Sequence, residues 1–187
     1  MTPPVSEVIA LTGTPGTGKT STAEELRKMG YRVLSVNDLA EELGCILGEE
    51  EGCKVVDVDA LAERVREVLE GRVVLEGHLS HLLSPDLIVV LRCNPIVLKE
   101  RLEGKGWSEE KVLENVEAEL IDSILVEALE TGKEVYEIDT TDLSPKEVAK
   151  IVDGIVSGDE EVRRRFRPGK IDWIAVVGDR IDELIRH

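Results

Sequence analysis

Short runs of apolar residues alternate along the chain with segments in which apolar residues recur every three or four positions. The runs are typical of buried strands, and the spaced segments are typical of helices that bury one face. This alternation predicts an α/β fold in which a five-stranded parallel sheet is covered by helices on both faces. The predicted strands are residues 8–11, 32–36, 72–77, 87–92 and 134–139.

The helices between these strands are delimited by capping residues. Asn94 with Pro95, and Ser144 with Glu147, are typical helix starts. Residues 44–56, rich in glycine and acidic residues, are predicted to connect two helices without regular structure. The predicted helices are 22–29 with Leu26 and Met29 inward, 38–43 capped by Asn37, one capped by Asp59 that buries Leu61, Val65, Val68 and Leu69, 95–103, one long helix from Ser108 whose inner face includes Ile121 and Leu125, 145–156 and 174–186.

Residues 13–20 fit G-x-x-x-x-G-K-[ST], the pattern of a phosphate-binding P-loop. The segment lies between a predicted strand and a predicted helix, where backbone N–H groups and the helix N-terminus can face an anion. We expect Lys19 to reach the β- and γ-phosphates of ATP, and the Thr20 hydroxyl to bind Mg²⁺. A glycine-rich turn that matches by chance is the alternative, and the strand–loop–helix context disfavours it. The residues predicted to bind the nucleotide are Gly13, Gly16, Thr17, Gly18, Lys19, Thr20 and Ser21.

Glu76 ends the third predicted strand, beside the crevice where open α/β sheets bind ligands. Its carboxylate is predicted to hold Mg²⁺ through water. His78 follows two residues later and either positions a water or phosphoryl acceptor or caps the next helix. His81 is more typical of capping or packing.

A helix–loop–helix corner near residue 104 carries cations suited to phosphoryl transfer, which depends on positioning and charge neutralisation. Arg101 and Lys105 lie there, and Arg92 ends a strand at the same edge of the sheet. Ordinary helix-surface charge is the alternative for Arg101. Asp38 and Asp57 are predicted at helix starts, with a contact to an acceptor nucleotide as the alternative.

Composition and charge narrow the classes of function. A net charge of −16 disfavours broad binding to nucleic acid phosphates, and it suits solubility or a basic protein partner. Three cysteines without C-x-x-C spacing and three histidines disfavour a disulfide or a zinc site. No apolar run approaches the roughly 20 residues of a membrane span. Residues 1–4 lack the features of a signal peptide, so we expect a cytoplasmic protein.

The segment from residue 158 onwards differs in character because residues 163–170 form a basic island in an acidic chain. One interpretation is a packed C-terminal helix preceded by a solvated basic turn. The other is a contact for RNA, phosphate or an acidic surface.

In combination, these motifs resemble the adenylate kinase isoenzyme 6 family over about residues 7–157. The motifs that carry the resemblance are the P-loop, residues 36–40, 53–59, 76–78, 91–92, 101–102 and 106–108, and Lys111, Glu114, Asn115, Ala118 and Glu119.

The resemblance implies a P-loop kinase domain at 1–157, with an NMP-binding region at about 36–58 and a lid at about 104–114. A basic tail and helix then occupy 158–187. It implies the reaction ATP + AMP ⇌ 2 ADP with Mg²⁺, and an ATPase activity. Lys19, Glu76, His78 and Arg101 are the implied catalytic residues, Lys105 joins the ATP site, and Asp38, Asp57 and Arg92 form the AMP site.

The resemblance also implies a role in small-ribosomal-subunit maturation, through a basic platform ribosomal protein and transient contact with the pre-ribosome. This chain departs from the family at Glu41, where eukaryotic members have a basic residue. Lys54 is the only cation between Arg32 and Arg64. An ATP-hydrolysing assembly factor with little AMP kinase activity is therefore the alternative. A kinase for another small acceptor, such as shikimate, is a third.

Overall fold

The computed structural model describes residues 6–187, so residues 1–4, which bear on the expected localisation, lie outside the described residues. The strands are β1 (Glu7–Gly13), β2 (Val33–Ser35), β3 (Ile46–Glu50), β4 (Cys53–Val56), β5 (Arg72–Glu76), β6 (Leu87–Arg92) and β7 (Glu134–Asp139). The helices are α1 (Lys19–Lys28), α2 (Val36–Glu42), α3 (Val58–Val68), α4 (Pro95–Glu103), α5 (Glu109–Leu120), α6 (Ser123–Glu130), α7 (Pro145–Val156), α8 (Glu160–Arg165) and α9 (Trp173–Val177), with 3₁₀ turns at Ser80–Leu82 and Gly178–Glu183.

Within the described residues, five strands form one parallel sheet in the order β2-β5-β1-β6-β7, which confirms the predicted fold. The register aligns Leu11 with Glu76 and Gly13 with Leu91, so the carboxyl ends of the central strands share one edge. Alternate side chains of β1 enter cores on opposite faces. Ile9 and Leu11 pack on the face of α1 and α7, and Val8 and Ala10 pack on the other face.

Residues 44–56 form a β-hairpin rather than a connecting loop. β3 and β4 are antiparallel, and Glu51 and Gly52 both have positive φ at the turn, as a tight two-residue hairpin requires. Most hairpin side chains are exposed, so the sequence lacks the apolar alternation that identifies a strand. Cys45 and Val56, at the base, are buried and attach the hairpin to the core.

Several predicted helix boundaries were wrong because a nearby side chain makes a better cap. The Ser35 hydroxyl, not Asn37, caps α2, and the Asp57 carboxylate, not Asp59, caps α3 by accepting from the Ala60 N–H at 3.1 Å. The predicted long helix from Ser108 breaks at Asp122, whose φ is 59°.

These boundaries change which apolar side chains are buried. Leu26 is buried as predicted, but Met29, Val68 and Ile121 are exposed because each lies at or beyond a helix end or on its outer side. Among the cysteines, Cys45 and Cys93 are buried and Cys53 is exposed.

The C-terminal segment packs on the core formed by the sheet and its helices. The Glu137 N–H donates to the Phe166 carbonyl at 3.0 Å, beside strand β7. Trp173, Val177 and Leu184 are buried with residues of α4 and α5. The packed arrangement agrees with the first interpretation of the tail. The predicted helix at 174–186 is instead the short α9 followed by a 3₁₀ turn.

Among residues 6–187, none of the helices combines the length and apolar character needed to cross a membrane.

Candidate functional site

A cleft of about 480 Å³ opens at the carboxyl edge of the sheet. The P-loop forms its floor, and the end of β5, the end of α4 and the segment after β7 form its walls. Outside the P-loop it is lined by Ser21, Thr22, Ser35, Asn37, Glu76, Gly77, His78, Arg101, Lys105, Thr140, Leu143, Pro145 and Val148. The structure therefore brings together most of the residues that the sequence assigned to the ATP site.

Two glycines give the P-loop its shape. Gly13 has a φ of 147°, and a Cβ there would lie 2.5 Å from the Leu91 carbonyl oxygen. A Cβ on Gly16 would lie 2.9 Å from the side chains of Leu98 and Leu102. These positions need glycine because the loop must lie directly against β6 and α4.

Lys19 lies at the start of α1 with its side chain buried. Its Nζ donates to the Gly13 carbonyl at 2.8 Å and to the Thr14 carbonyl at 3.1 Å. Burial lowers the pKa of Lys19 to about 8, against the opposing effect of the Glu76 carboxylate. The ammonium is therefore held inside the loop that would receive the phosphates.

Glu76 and Thr20 both line the cleft and offer oxygen ligands of the kind that Mg²⁺ prefers. Burial raises the pKa of Glu76, and Lys19 opposes that effect. Within residues 6–187 no group of three or more His, Cys, Asp or Glu residues could hold a metal by itself. The residues fit an ion that takes few protein ligands and completes its shell with phosphate and water.

His78 lies at the mouth of the cleft, and burial, followed by the charge of Lys19, lowers its pKa. The 3₁₀ turn that follows, Ser80–Leu82, has Leu79 at its N-cap position and no hydrogen bond from a side-chain cap. His78 therefore does not cap it. His81 packs as predicted: it is buried, and its ring nitrogens contact the Thr12 hydroxyl at 2.8 Å and the Glu127 carboxylate at 3.1 Å.

Arg101 is hydrogen-bonded to the P-loop, so it is not an ordinary charge on a helix surface. Its guanidinium donates to the Gly16 carbonyl at 3.2 Å and to the Thr141 carbonyl at 3.4 Å. Lys105 reaches the cleft from the turn after α4, with its ammonium 5.7 Å from the centre of the Trp107 ring. Two cations thus approach the P-loop from the predicted lid side.

Arg92 does not belong to an AMP site, contrary to the sequence prediction. Its side chain is 1% exposed, and its guanidinium donates to Glu119 at 2.7 Å, to Glu137 at 3.0 Å and to Asp122. The carboxylates of Glu119 and Asp122 raise the pKa of Arg92 although burial alone would lower it. Its charge is used by carboxylates of the core, and Arg92 is not among the described residues that line the cleft.

The other two predicted AMP ligands lie outside the cleft. Asp38 is exposed on α2, and the carboxylate of Asp57 is used as the cap of α3. Of the NMP-binding region, the cleft lining within the described chain includes Ser35 at its border and Asn37.

Sequence reasoning missed the cleft wall that the segment after β7 forms. Its residues in the lining are Thr140, Leu143, Pro145 and Val148. The Thr140 hydroxyl donates to the Thr17 carbonyl at 2.8 Å and so fixes the segment to the P-loop. The only sequence signal was the position of this segment after the last strand, where parallel sheets also place ligand contacts.

Comparisons with known proteins agree with this geometry. A family model described as an AAA domain matches residues 9–122. The chain is 59% identical to a protein of Archaeoglobus fulgidus, covering 96% of this chain and 98% of the relative, and 46% identical to one of Pyrococcus abyssi, covering 96% of each. Both relatives bear the name "Putative adenylate kinase".

Two solved structures share the fold at low identity. Shikimate kinase from Acinetobacter baumannii aligns with a TM-score of 0.57 at 15% identity, covering 85% of this chain and 96% of that one. Thymidylate kinase from Candida albicans aligns with a TM-score of 0.52 at 14% identity, covering 84% and 93%. At these identities the likeness concerns the P-loop kinase fold alone.

Proposed function

Because the chain belongs to the family of archaeal proteins named "Putative adenylate kinase", we propose that it is a nucleoside monophosphate kinase of adenylate kinase type. It would transfer the γ-phosphoryl group of ATP to AMP and release two ADP. The observation that carries this proposal is one cleft in which the P-loop, an acid at a strand end and three cations, Lys19, Arg101 and Lys105, converge.

The donor nucleotide would lie along the P-loop. Its phosphates would accept hydrogen bonds from the loop amides and from Lys19, which would exchange its two carbonyl partners for phosphate oxygens. Leu143, Pro145 and Val148 form an apolar wall suited to the base. Mg²⁺, when bound by Thr20 and Glu76, would neutralise charge on the phosphates.

The predicted lid, residues 104–114, and the predicted NMP-binding region, residues 36–58, would close over the transferring group. Arg101, held against the carbonyl of Gly16, and Lys105 would face the charge that develops on it. His78 at the mouth would orient the acceptor oxygen or a water. Asn37 is the residue of the NMP-binding region that the cleft geometry favours as an acceptor contact.

One observation favours a second activity, ATP hydrolysis with a water as the acceptor. Lys54, the cation of the NMP-binding region, is paired with Glu41, so few charges are free to hold the phosphate of AMP. A water needs no such clamp. We propose ATPase activity as the alternative or additional reaction of the same cleft.

The resemblance to the adenylate kinase isoenzyme 6 family adds a proposed role in maturation of the small ribosomal subunit, with a basic ribosomal protein as the partner and the cytoplasm as the location. The net charge of −16 supports a basic partner. Stimulation of ATP hydrolysis by such a protein at physiological salt would support the role. Lack of any binding there would contradict it.

Product analysis with Mg-ATP, with and without AMP, tests the proposed reaction. Two ADP for each ATP consumed, only when AMP is present, is the expected result. If ADP and free phosphate form equally without AMP, the kinase proposal is contradicted and the ATPase alternative is supported. Lys19→Ala should abolish either reaction. Lys28→Ala, which removes an exposed lysine of the same helix that pairs with Glu25, is the matched control and should retain it.

A further inference from the structure

Glu119 is a buried carboxylate, 2% exposed, at the last turn of α5. One oxygen accepts from the Thr14 hydroxyl of the P-loop at 2.7 Å. The other accepts from the Trp173 indole N–H at 3.0 Å and from Arg92 at 2.7 Å. A single side chain thus joins the P-loop, the sheet edge and the C-terminal segment.

The contact with Thr14 leads directly to Lys19. The Thr14 carbonyl accepts from the Lys19 ammonium at 3.1 Å and from the Thr17 hydroxyl at 2.8 Å. The orientation of residue 14 therefore fixes two groups that would face the phosphates. Its own hydroxyl is oriented by Glu119 alone among the described hydrogen bonds.

We propose that Glu119 is a positioning residue for the nucleotide site, and that it makes P-loop geometry depend on docking of Trp173. The inference rests on the proposed function, since it assigns Glu119 and Trp173 to the same ATP site. It gives the C-terminal segment a function in catalysis: the last 30 residues would hold the phosphate loop in its binding conformation through one hydrogen-bonded chain, Trp173–Glu119–Thr14–Lys19.

The positioning effect of these hydrogen bonds can be tested apart from the packing of the same side chains. Arg92 retains Glu137 and Asp122 as partners, so charge balance inside the core does not by itself require the Thr14 contact. Trp173 is buried among apolar residues of α4 and α5, where a ring without an N–H would also fit. Thr14→Val therefore removes the hydroxyl while keeping the shape of the side chain, whereas Trp173→Phe removes the N–H together with part of the buried ring.

The first test uses Thr14→Val and Thr14→Ser, with Mg-ATP affinity measured by calorimetry and KM measured separately for ATP and AMP. Replacing Glu119 itself is less informative because it would leave Arg92 without one of its two buried carboxylate partners. Thr14→Val should raise the Kd and KM for ATP about tenfold, the loss expected for a hydrogen bond to a carboxylate, with KM for AMP unchanged. Thr14→Ser keeps the hydroxyl and should restore ATP affinity.

Thr131→Val is the matched control, since it removes a hydroxyl at the end of α6 that donates to the Ala128 carbonyl and accepts from the Lys133 N–H, outside the cleft lining. Its ATP affinity should equal that of the wild type. Urea unfolding of each variant establishes that the chain is folded. A folded Thr14→Val protein with wild-type ATP affinity would overturn the proposal.

Trp173→Phe tests the link to the C-terminal segment. It should also weaken ATP binding, and the double variant with Thr14→Val should lose less affinity than the product of the two single losses, because both act through Glu119. Fully multiplicative losses would overturn the link. If the wild type itself binds no ATP, the proposed function fails together with this inference. If it binds ATP and Thr14→Val does too, only this inference fails.

Discussion

The Lys19 ammonium lies 2.8 Å from the carbonyl oxygen of Gly13, within the same loop, rather than extended into the open cleft. Two backbone carbonyls stabilise its charge in a buried environment. Burial nevertheless lowers the pKa of Lys19 to about 8, which is not far above neutral pH. The charge that would bind the phosphates is therefore sensitive to pH.

This relationship predicts how ATP affinity changes with pH. Below pH 8 Lys19 is protonated before the nucleotide binds, and affinity should be constant. Above pH 8 the free protein must take up a proton to bind, so Kd should rise by up to about tenfold per pH unit. Calorimetric titration with Mg-ATP between about pH 7 and about pH 9.5 measures it. Lys19→Ala should bind weakly with a flat profile, and a flat profile in the wild type would contradict the assignment.

The contact of Gly13 with β6 predicts a large effect of a single methyl group. In Gly13→Ala the added Cβ would meet the Leu91 carbonyl oxygen at 2.5 Å and the Thr17 hydroxyl at 2.8 Å. Gly30→Ala is the matched control, because Gly30 also has a positive φ but no heavy atom lies within 4 Å of the added Cβ.

Gly30→Ala should cost about 1–2 kcal/mol in the free energy of unfolding, from backbone strain alone. Gly13→Ala should cost about 1–3 kcal/mol more, because the neighbouring backbone must move. Urea denaturation compares the two. Equal losses would mean that β6 can yield and that Gly13 is needed only for its φ.

Burial of Arg92 in an ion network predicts a loss of stability rather than a change in acceptor binding. Arg92→Met would leave Glu119 and Glu137 buried without their cation, which should cost about 3–5 kcal/mol in the free energy of unfolding. Arg66→Met, on the exposed side of α3, should change it by less than about 0.5 kcal/mol. A stable Arg92→Met protein with a raised KM for AMP would contradict this prediction and support the original assignment of Arg92 to the AMP site.

The features that the sequence predicted well depend on local rules. Buried parallel strands require apolar runs, so the strand positions followed directly from the pattern. A P-loop requires particular residues at fixed spacing, and the roles assigned on that basis to Lys19, Thr20 and Glu76 stay predictions. The five-stranded sheet is confirmed on these grounds.

The features that the sequence missed depend on contacts between distant residues. Arg92 ends a strand as a catalytic cation would, and only the placement of Glu119, Asp122 and Glu137 shows that it is buried. The β3–β4 hairpin is solvent-exposed, so its sequence carries little apolar periodicity. The hydrogen bond from Thr14 to Glu119 joins residues 105 positions apart, beyond the reach of any spacing rule.

The position of His78 predicts that replacing it lowers kcat without weakening the binding of ATP. It lies at the mouth of the cleft, and the structure excludes a capping function for it within the described chain. Its lowered pKa, caused by burial and then by Lys19, favours the neutral ring at neutral pH, the form that can donate to a phosphate oxygen of the acceptor or accept a hydrogen bond from a water.

His78→Ala should therefore lower kcat by about 100-fold and change KM for ATP less than twofold, because the P-loop holds the phosphates. In the wild type, kcat should fall only at pH values below the usual pKa of histidine, because the lowered pKa of His78 delays the protonation of the ring beside Lys19. His187→Ala, at the exposed C-terminus, is the matched control and should behave as the wild type. The prediction would be contradicted if His78→Ala kept the full kcat and still showed the fall of kcat at low pH. That fall would then belong to another group, and Glu76→Gln would test Glu76 first.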